Sequence, residues 1–332
     1  MRVAAVDCGT NSIRLLVAEA PVGAGASTLL TDVVRRVEVV RLGYGVDATG
    51  VIAPESMERA LAMTREYASE CDRLGVEAVR FVTTSAARDA RNADDFIAGV
   101  EQAFGGRDVR PEVLSGQEEA ELSFLGATGG LAEAGAEAPY LVVDLGGGST
   151  EFVLGDGDVP TRMLTATSTD MGCVRTTERY LRELHTHHAS GGQSDGVGGV
   201  EAALEDIDAH LDRVEAELDF SGVGTLVGLA GTVTTVTAHT MQLPRYDSAA
   251  VHLARLDVGE VLAACDDLLA SGRGRLAALP YMHPGRVDVI AAGALMWGRI
   301  VTRVAQASGI DTVLTSEHDI LDGIARSLLR EA

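Results

Sequence analysis

The sequence predicts an α/β protein built from two lobes of related architecture, and three observations lead there. The stretch VDCGTNS at residues 6–12 is a strand end, an Asp, a tight turn and a hydroxyl-rich restart, and the same shape returns as VDLGGGSTE at residues 143–151. Each copy is followed by short apolar runs alternating with segments of helical spacing. The 332 residues, 46% hydrophobic with 38 glycines, suffice for two cores and match ordinary α/β composition.

The elements follow in chain order. MRVAAVDCGTNSIRLLVAEA reads as strand, turn, strand, and a β-rich run over 28–42 ends in Gly43-Tyr44-Gly45. Pro54 opens an amphipathic helix carrying Met57, Leu61, Met63 and Tyr67 and running to about Arg73. AVRFVTTSA at 78–86 is a strand leaving on hydroxyl residues, and Asn92 to Phe104 reads as a helix. PEVLSGQEEAELSFLG gives a short strand, a Ser115-Gly116 start and a helix with Glu118 and Glu119 in its first turn. Acids there suit the helix dipole, so a purely structural role stands beside any chemical one.

The small, Gly-rich stretch 127–139 is a connector, after which YLVVDLGGGSTEFVLGD repeats the opening. Laid on the first copy, Asp144 matches Asp7, Gly146 matches Gly9 and Ser149 matches Ser12, while Glu151 falls where the first copy has Arg14. Residues 186–199 have loop composition. A helix over about 200–217 follows, then the strand TLVGLA with Gly231-Thr232. A long helix over 284–307 begins behind Pro284, and its apolar face could serve a homodimer as readily as a core. The last strand and helix are expected to pack back on the first lobe. The predicted domains are therefore 1–127 with roughly 308–332, and 128–307.

Composition excludes several functions. A net charge of −22 argues against nonspecific binding to nucleic acid or anionic membranes. All 27 basic side chains are arginine, so a lysine-bearing P-loop is ruled out. The cysteines Cys8, Cys71, Cys173 and Cys265 are scattered without a CxxC pair, which suits buried thiols in a reducing compartment. No apolar run approaches the roughly 20 residues of a membrane helix, and the chain enters a strand at once, so a cytoplasmic location is expected.

A turn with exposed glycine N–H groups makes a concavity suited to phosphate oxygens. Two matched Asp-x-Gly turns, together with Gly228, Gly231 and Thr232, strengthen that reading well beyond a single Gly-rich loop. Asp144 and Glu151 flank the glycines as hard oxygen ligands suited to Mg²⁺; the plainer reading is a pair of capping or solvated carboxylates. His185, His187 and His188 could bind a metal but lie beside a Gly/Ser loop, which favours a solvated tract. His283, before Pro284, reads as a packing or capping residue. Arg35, Arg36 and Arg41 could line a track for a polyanion, or simply one exposed strand face.

The segments DCGTNS, RLGYG, TTSAARDARN, VLSGQEEAE, VDLGGGSTEF, GLAGTVTT and HPGRVDVIAAG occur in the order found in the exopolyphosphatase/guanosine pentaphosphate phosphatase family, which the chain resembles over roughly 1–325. That resemblance implies two actin-like (ribonuclease H-like) lobes with a cleft between them, in the short form without the helical domain of longer members. It places Asp7, Gly9, Thr10, Asn11 and Ser12 in a first phosphate loop. Gly146, Gly147, Gly148 and Ser149 fall in a second, with Asp144 and Glu151 in metal-associated positions. It implies that Arg88 binds phosphate and that Glu119 is the catalytic base, with Glu118 its near neighbour; for Arg88 the alternative is a surface ion pair with Asp89 or Asp94. The implied activity is Mg²⁺-dependent removal of terminal phosphate from inorganic polyphosphate, with shorter chains preferred. Hydrolysis of guanosine pentaphosphate, or nucleotide binding without hydrolysis, are the alternatives.

Overall fold

The computed structural model describes residues 1–21, 30–158, 161–182 and 196–329. The chain divides into two compact units, Met1–Gly129 with His318–Ala332, and Gly130–Glu317. In the first unit β1 (Arg2–Cys8), β2 (Ser12–Glu19) and β3 (Thr31–Val39) form an antiparallel meander. Helices α1 (Val46–Thr49) and α2 (Pro54–Arg73) follow, with Pro54 at the first turn, where its missing N–H costs nothing. Strand β4 (Ala78–Thr83) then lies parallel to β1. After α3 (Ser85–Arg88) and α4 (Ala93–Ala103) comes the two-residue β5 (Glu112–Val113), parallel to β4. The sheet order is β3-β2-β1-β4-β5. Helix α5 (Gly116–Ala127) starts on a capping box in which Ser115 and Glu118 satisfy each other's backbone N–H groups.

The second unit repeats the plan. Strands β6 (Tyr140–Leu145), β7 (Thr150–Gly155) and β8 (Met163–Thr169) form a second antiparallel meander. After α6 (Cys173–Thr176) and α7 (Gly196–Glu217), β9 (Thr225–Leu229) runs parallel to β6. Then come α8 (Ala230–Thr240), α9 (Ser248–Val251), β10 (Arg255–Asp257), α10 (Val258–Ala270), α11 (Arg273–Ala278), α12 (Ile290–Ser308) and β11 (Thr312–Thr315). The order is β10-β11-β9-β6-β7-β8, so the first five positions from the meander reproduce the first sheet and β10 is an addition.

Several expectations need correcting. Strand β11 pairs with β9 and β10, so it belongs to the second unit; the chain rejoins the first unit from His318. Residues 284–286 form a separate 3₁₀ turn, capped by His283, whose Nδ1 accepts from the Gly285 N–H at 3.1 Å; α12 itself starts at Ile290. Helix α7 begins at Gly196, inside the stretch read as loop. The apolar face of α12 is core, with Trp297, Ile300, Val301 and Val304 buried, and Arg299 and Arg303 bind Asp208 and Glu215 on α7. Arg35 pairs with Asp32 and Asp322, and Arg36 with Glu38, Glu66 and Glu70, so β3 offers no polyanion track from these two. His185, His187 and His188 lie outside the described residues.

The returning segment, α13 (Ile320–Ser327), sets the position of α5. The two helices meet backbone to backbone. A Cβ on Gly323 would lie 1.9 Å from the Leu122 carbonyl oxygen, and one on Gly126 would lie 1.8 Å from that of Asp319. Arg326 donates to the Leu125 carbonyl at 2.8 Å, satisfying the last turn of α5. Gly323→Ala is expected to cost about 1–3 kcal/mol, because helix backbones must part to admit the methyl group. Chemical denaturation checks this, and an unchanged midpoint would refute the close approach.

Candidate functional site

The two hairpin turns are built alike. In the first, the Gly9 N–H donates to the Ser12 carbonyl at 3.0 Å; in the second, the Gly146 N–H donates to Ser149 at the same 3.0 Å. Asp7 stands directly opposite Arg14 across β1–β2, and Asp144 directly opposite Glu151 across β6–β7. Side chains directly opposite in an antiparallel pair share one face.

Neighbouring segments hold the carbonyls of both turns. Thr10 accepts from the Gly43 N–H at 2.9 Å, and Asn11 accepts from Val40 and Arg41 at 3.1 and 2.8 Å. The Gly146 carbonyl accepts from Cys173, and that of Gly147 from Val174 and Arg175, all N–H groups at the start of α6. Among the described residues, the N–H groups of Thr10, Asn11, Gly147, Gly148 and Ser149 find no acceptor within the chain. Both turns therefore present a row of backbone donors, the requirement for holding an anion. The Thr10 hydroxyl sits 2.8 Å from that of Ser85 at the start of α3, which fixes the first turn against the TTSAAR segment.

The charges at the two turns differ. At the first, Arg14 donates to Asp7 Oδ2 through Nε at 2.9 Å and Nη2 at 2.6 Å, and its Nη1 bonds Asp319. Burial raises the Asp7 carboxyl and Arg14 opposes that rise, while Asp7 Oδ1 is buried without a hydrogen-bond partner. At the second turn the arginine is replaced by a second acid. Asp144 and Glu151 are both buried, and Ser168, opposite Glu151 on β8, donates to Glu151 Oε1 at 2.8 Å. Two facing buried carboxylates with oxygen donors only are a fitting half-shell for a hard divalent cation. Among the described residues no group of three or more His, Cys, Asp or Glu side chains could hold a metal, so water or substrate oxygens would complete such a shell.

Arg88 and Glu119 come together in the first unit. Arg88 Nη1 donates to the Leu114 carbonyl at 2.7 Å and lies 3.4 Å from Glu119 Oε2. Neither Asp89 nor Asp94 is its ion-pair partner. The Nε and Nη2 N–H groups of Arg88 have no partner within the chain among the described residues. The neighbouring acids are distinct. Glu118 is exposed, accepts from the Ser115 N–H and hydroxyl at 2.8 and 2.7 Å, and is held below the usual carboxylate range by those bonds. Glu119 is buried beside Arg88. The segment Gly228–Thr232 serves packing: the Cβ position of Gly231 is filled by the Arg286 guanidinium.

Three polar neighbours of the turns escaped sequence reasoning. Asp319 lies 305 residues from Arg14. Ser168 is found only from the strand register. Arg175 donates through Nε to the Gly148 carbonyl at 2.9 Å. For the last two, the signal available was the segment STDMGCVR, which ends the third strand of the second meander and leads into α6.

Residues 20–328 match the family model described as the Ppx/GppA phosphatase family. The chain is 46% identical over 331 residues to Exopolyphosphatase 2 of Mycobacterium tuberculosis, covering 98% of both chains. Among solved structures it is similar to an exopolyphosphatase-like protein, with a TM-score of 0.89 and 39% identity over 99% of this chain and 98% of that one. It is also similar to the Ppx-GppA enzyme of Aquifex aeolicus, with a TM-score of 0.75 and 27% identity over 98% and 99% of the two chains.

Proposed function

Because the chain belongs to the Ppx/GppA phosphatase family, we propose that it is an exopolyphosphatase, releasing orthophosphate from the ends of short inorganic polyphosphate chains by attack of water. The observation that carries this reading is the pair of matched turns, each with a row of backbone donors, one with an internal Asp7–Arg14 ion pair and the other with two facing carboxylates. A phosphoanhydride is cleaved chiefly by positioning and charge neutralisation, for which backbone donors, a guanidinium and paired carboxylates are suited.

The N–H groups of Thr10 and Asn11, and of Gly147, Gly148 and Ser149, would bind phosphoryl oxygens. Gly9, Ser12 and Gly146 shape the two turns. Arg88 would offer its remaining N–H groups to the phosphoryl oxygens, where a guanidinium stabilises growing negative charge. Glu119 would orient the attacking water and take its proton, while Arg88 beside it holds the carboxylate in place. Asp144 and Glu151 would hold Mg²⁺, which when bound neutralises phosphate charge.

The preference for short chains rests on charge. At a net charge of −22, with Arg35 and Arg36 spent in ion pairs, little on β3 attracts a long polyanion. A cytoplasmic setting suits four buried free cysteines, and among the described residues no helix is long and apolar enough to cross a membrane.

Orthophosphate release from short polyphosphate, long polyphosphate, guanosine pentaphosphate and ATP, with Mg²⁺ and with a chelator, tests the reading. The expected result is metal-dependent release that is fastest with short polyphosphate. Rates rising with chain length would remove the short-chain preference, and faster turnover of guanosine pentaphosphate would reassign the substrate. No release from any of the four would leave a binding protein.

A further inference from the structure

We infer that Arg175 is a positioning residue for the second phosphate turn: its side chain holds the Gly148 carbonyl so that the Ser149 N–H is presented to a phosphoryl oxygen. The inference deepens the polyphosphate reading and rests on it.

The peptide bonds of residues 146–149 are trans, and in a trans peptide the carbonyl and the following N–H point in opposite directions. Fixing a carbonyl therefore aims the next N–H. The Gly146 carbonyl, held by the Cys173 N–H at 3.0 Å, aims that of Gly147. The Gly147 carbonyl, held by Val174 at 2.9 Å and Arg175 at 3.2 Å, aims that of Gly148. These two planes are locked by backbone alone.

The third plane is different. At the matching place in the first turn, Asn11, the carbonyl is held by the backbone N–H groups of Val40 and Arg41. In the second turn the Gly148 carbonyl is held by Arg175 Nε at 2.9 Å, a single side chain. Gly148, like Gly146 and Gly147, lacks a Cβ and so does little by itself to restrain its peptide plane. Arg175 can hold it because its own side chain is only 12% exposed and Asp170 lies 4.0 Å from its Nη2.

Two substitutions separate the hydrogen bond from the charge. Gln places Nε2 as many bonds from Cα as Arg places Nε, so R175Q keeps a donor at that point and loses the charge. R175M loses both. Binding of inorganic orthophosphate by calorimetry and steady-state kinetics on short polyphosphate are measured for each, with thermal denaturation as a check on folding.

R175M is expected to weaken orthophosphate binding and raise KM about tenfold, with a smaller change in kcat, the scale of one lost hydrogen bond near an anion. R175Q is expected to stay within about threefold of the parent. Should R175M not fold, R175K takes its place, since it keeps the charge but puts a carbon where Nε stood. Unchanged binding in the donor-less variant would overturn the inference. So would R175Q falling as far as R175M, because charge would then be the working property. A parent protein that binds orthophosphate but releases none from polyphosphate would sink the polyphosphate reading while leaving the Arg175 comparison intact.

Discussion

Glu119→Gln is expected to lower orthophosphate release about 10²–10⁴-fold, the range for loss of a positioned general base. The substitution keeps the volume of a buried side chain and leaves an oxygen to accept from Arg88, whose Nη1 lies 3.4 Å from Glu119 Oε2. What it removes is the capacity to take a proton. The loss should therefore fall on kcat, with KM and the unfolding midpoint little changed. Glu118→Gln is the matched control. Glu118 is committed to the Ser115 cap, where a Gln oxygen still accepts the Ser115 N–H, so its replacement should cost about 0.3–1 kcal/mol of stability, from the lost charge at the helix N-terminus, and little rate. If E119Q kept full activity, or if the large rate loss appeared in E118Q instead, Glu119 could not be the base.

The second large effect is on stability. Arg14 is one cation serving two buried carboxylates, Asp7 and Asp319, and its side chain is only 18% exposed. Arg14→Met would leave both acids without it, at a cost of about 3–5 kcal/mol. The sign of the pH dependence follows from Asp7. Burial already raises its carboxyl in the folded state, and Arg14 is the influence that lowers it. A carboxyl raised by folding is most favourable to stability below its unfolded pKa and loses that contribution as pH rises through the folded value. Without Arg14 the rise is greater, so the deficit of R14M should be smallest near pH 4 and grow toward pH 7. Denaturation midpoints across that range check the slope, and a constant deficit would show that Arg14 matters through packing alone.

Local chemistry was legible in the sequence wherever it dictates structure. The Pro54 start and the Ser115 cap mark helix ends because each satisfies or removes an orphan N–H. The matched spacing of the two turns gave their likeness and the exchange of Arg14 for Glu151, while the opposition of Asp7 with Arg14 and of Asp144 with Glu151 comes from the strand register. Long-range pairing was not legible. Nothing near Arg14 announces Asp319, and nothing near Arg35 or Arg36 announces Asp322 or Glu70. Strand β11 was misplaced because a four-residue apolar strand fits either sheet until its neighbours are known.

The return of α13 to the first unit also bears on the order in which the protein can be made. Synthesis runs from residue 1 onward and domains tend to fold as they emerge. Residues 130–317 form a contiguous unit whose sequence is complete before residue 318 is added. The first unit, although begun earlier, must wait for Asp319 to reach Arg14 and for Gly323 to meet α5. A message cut short after Thr315 would thus yield an intact second sheet, and a first unit with a half-buried arginine short of one partner and a helix lacking its mate. The helix that carries Glu119 is among the last parts of the molecule to be secured.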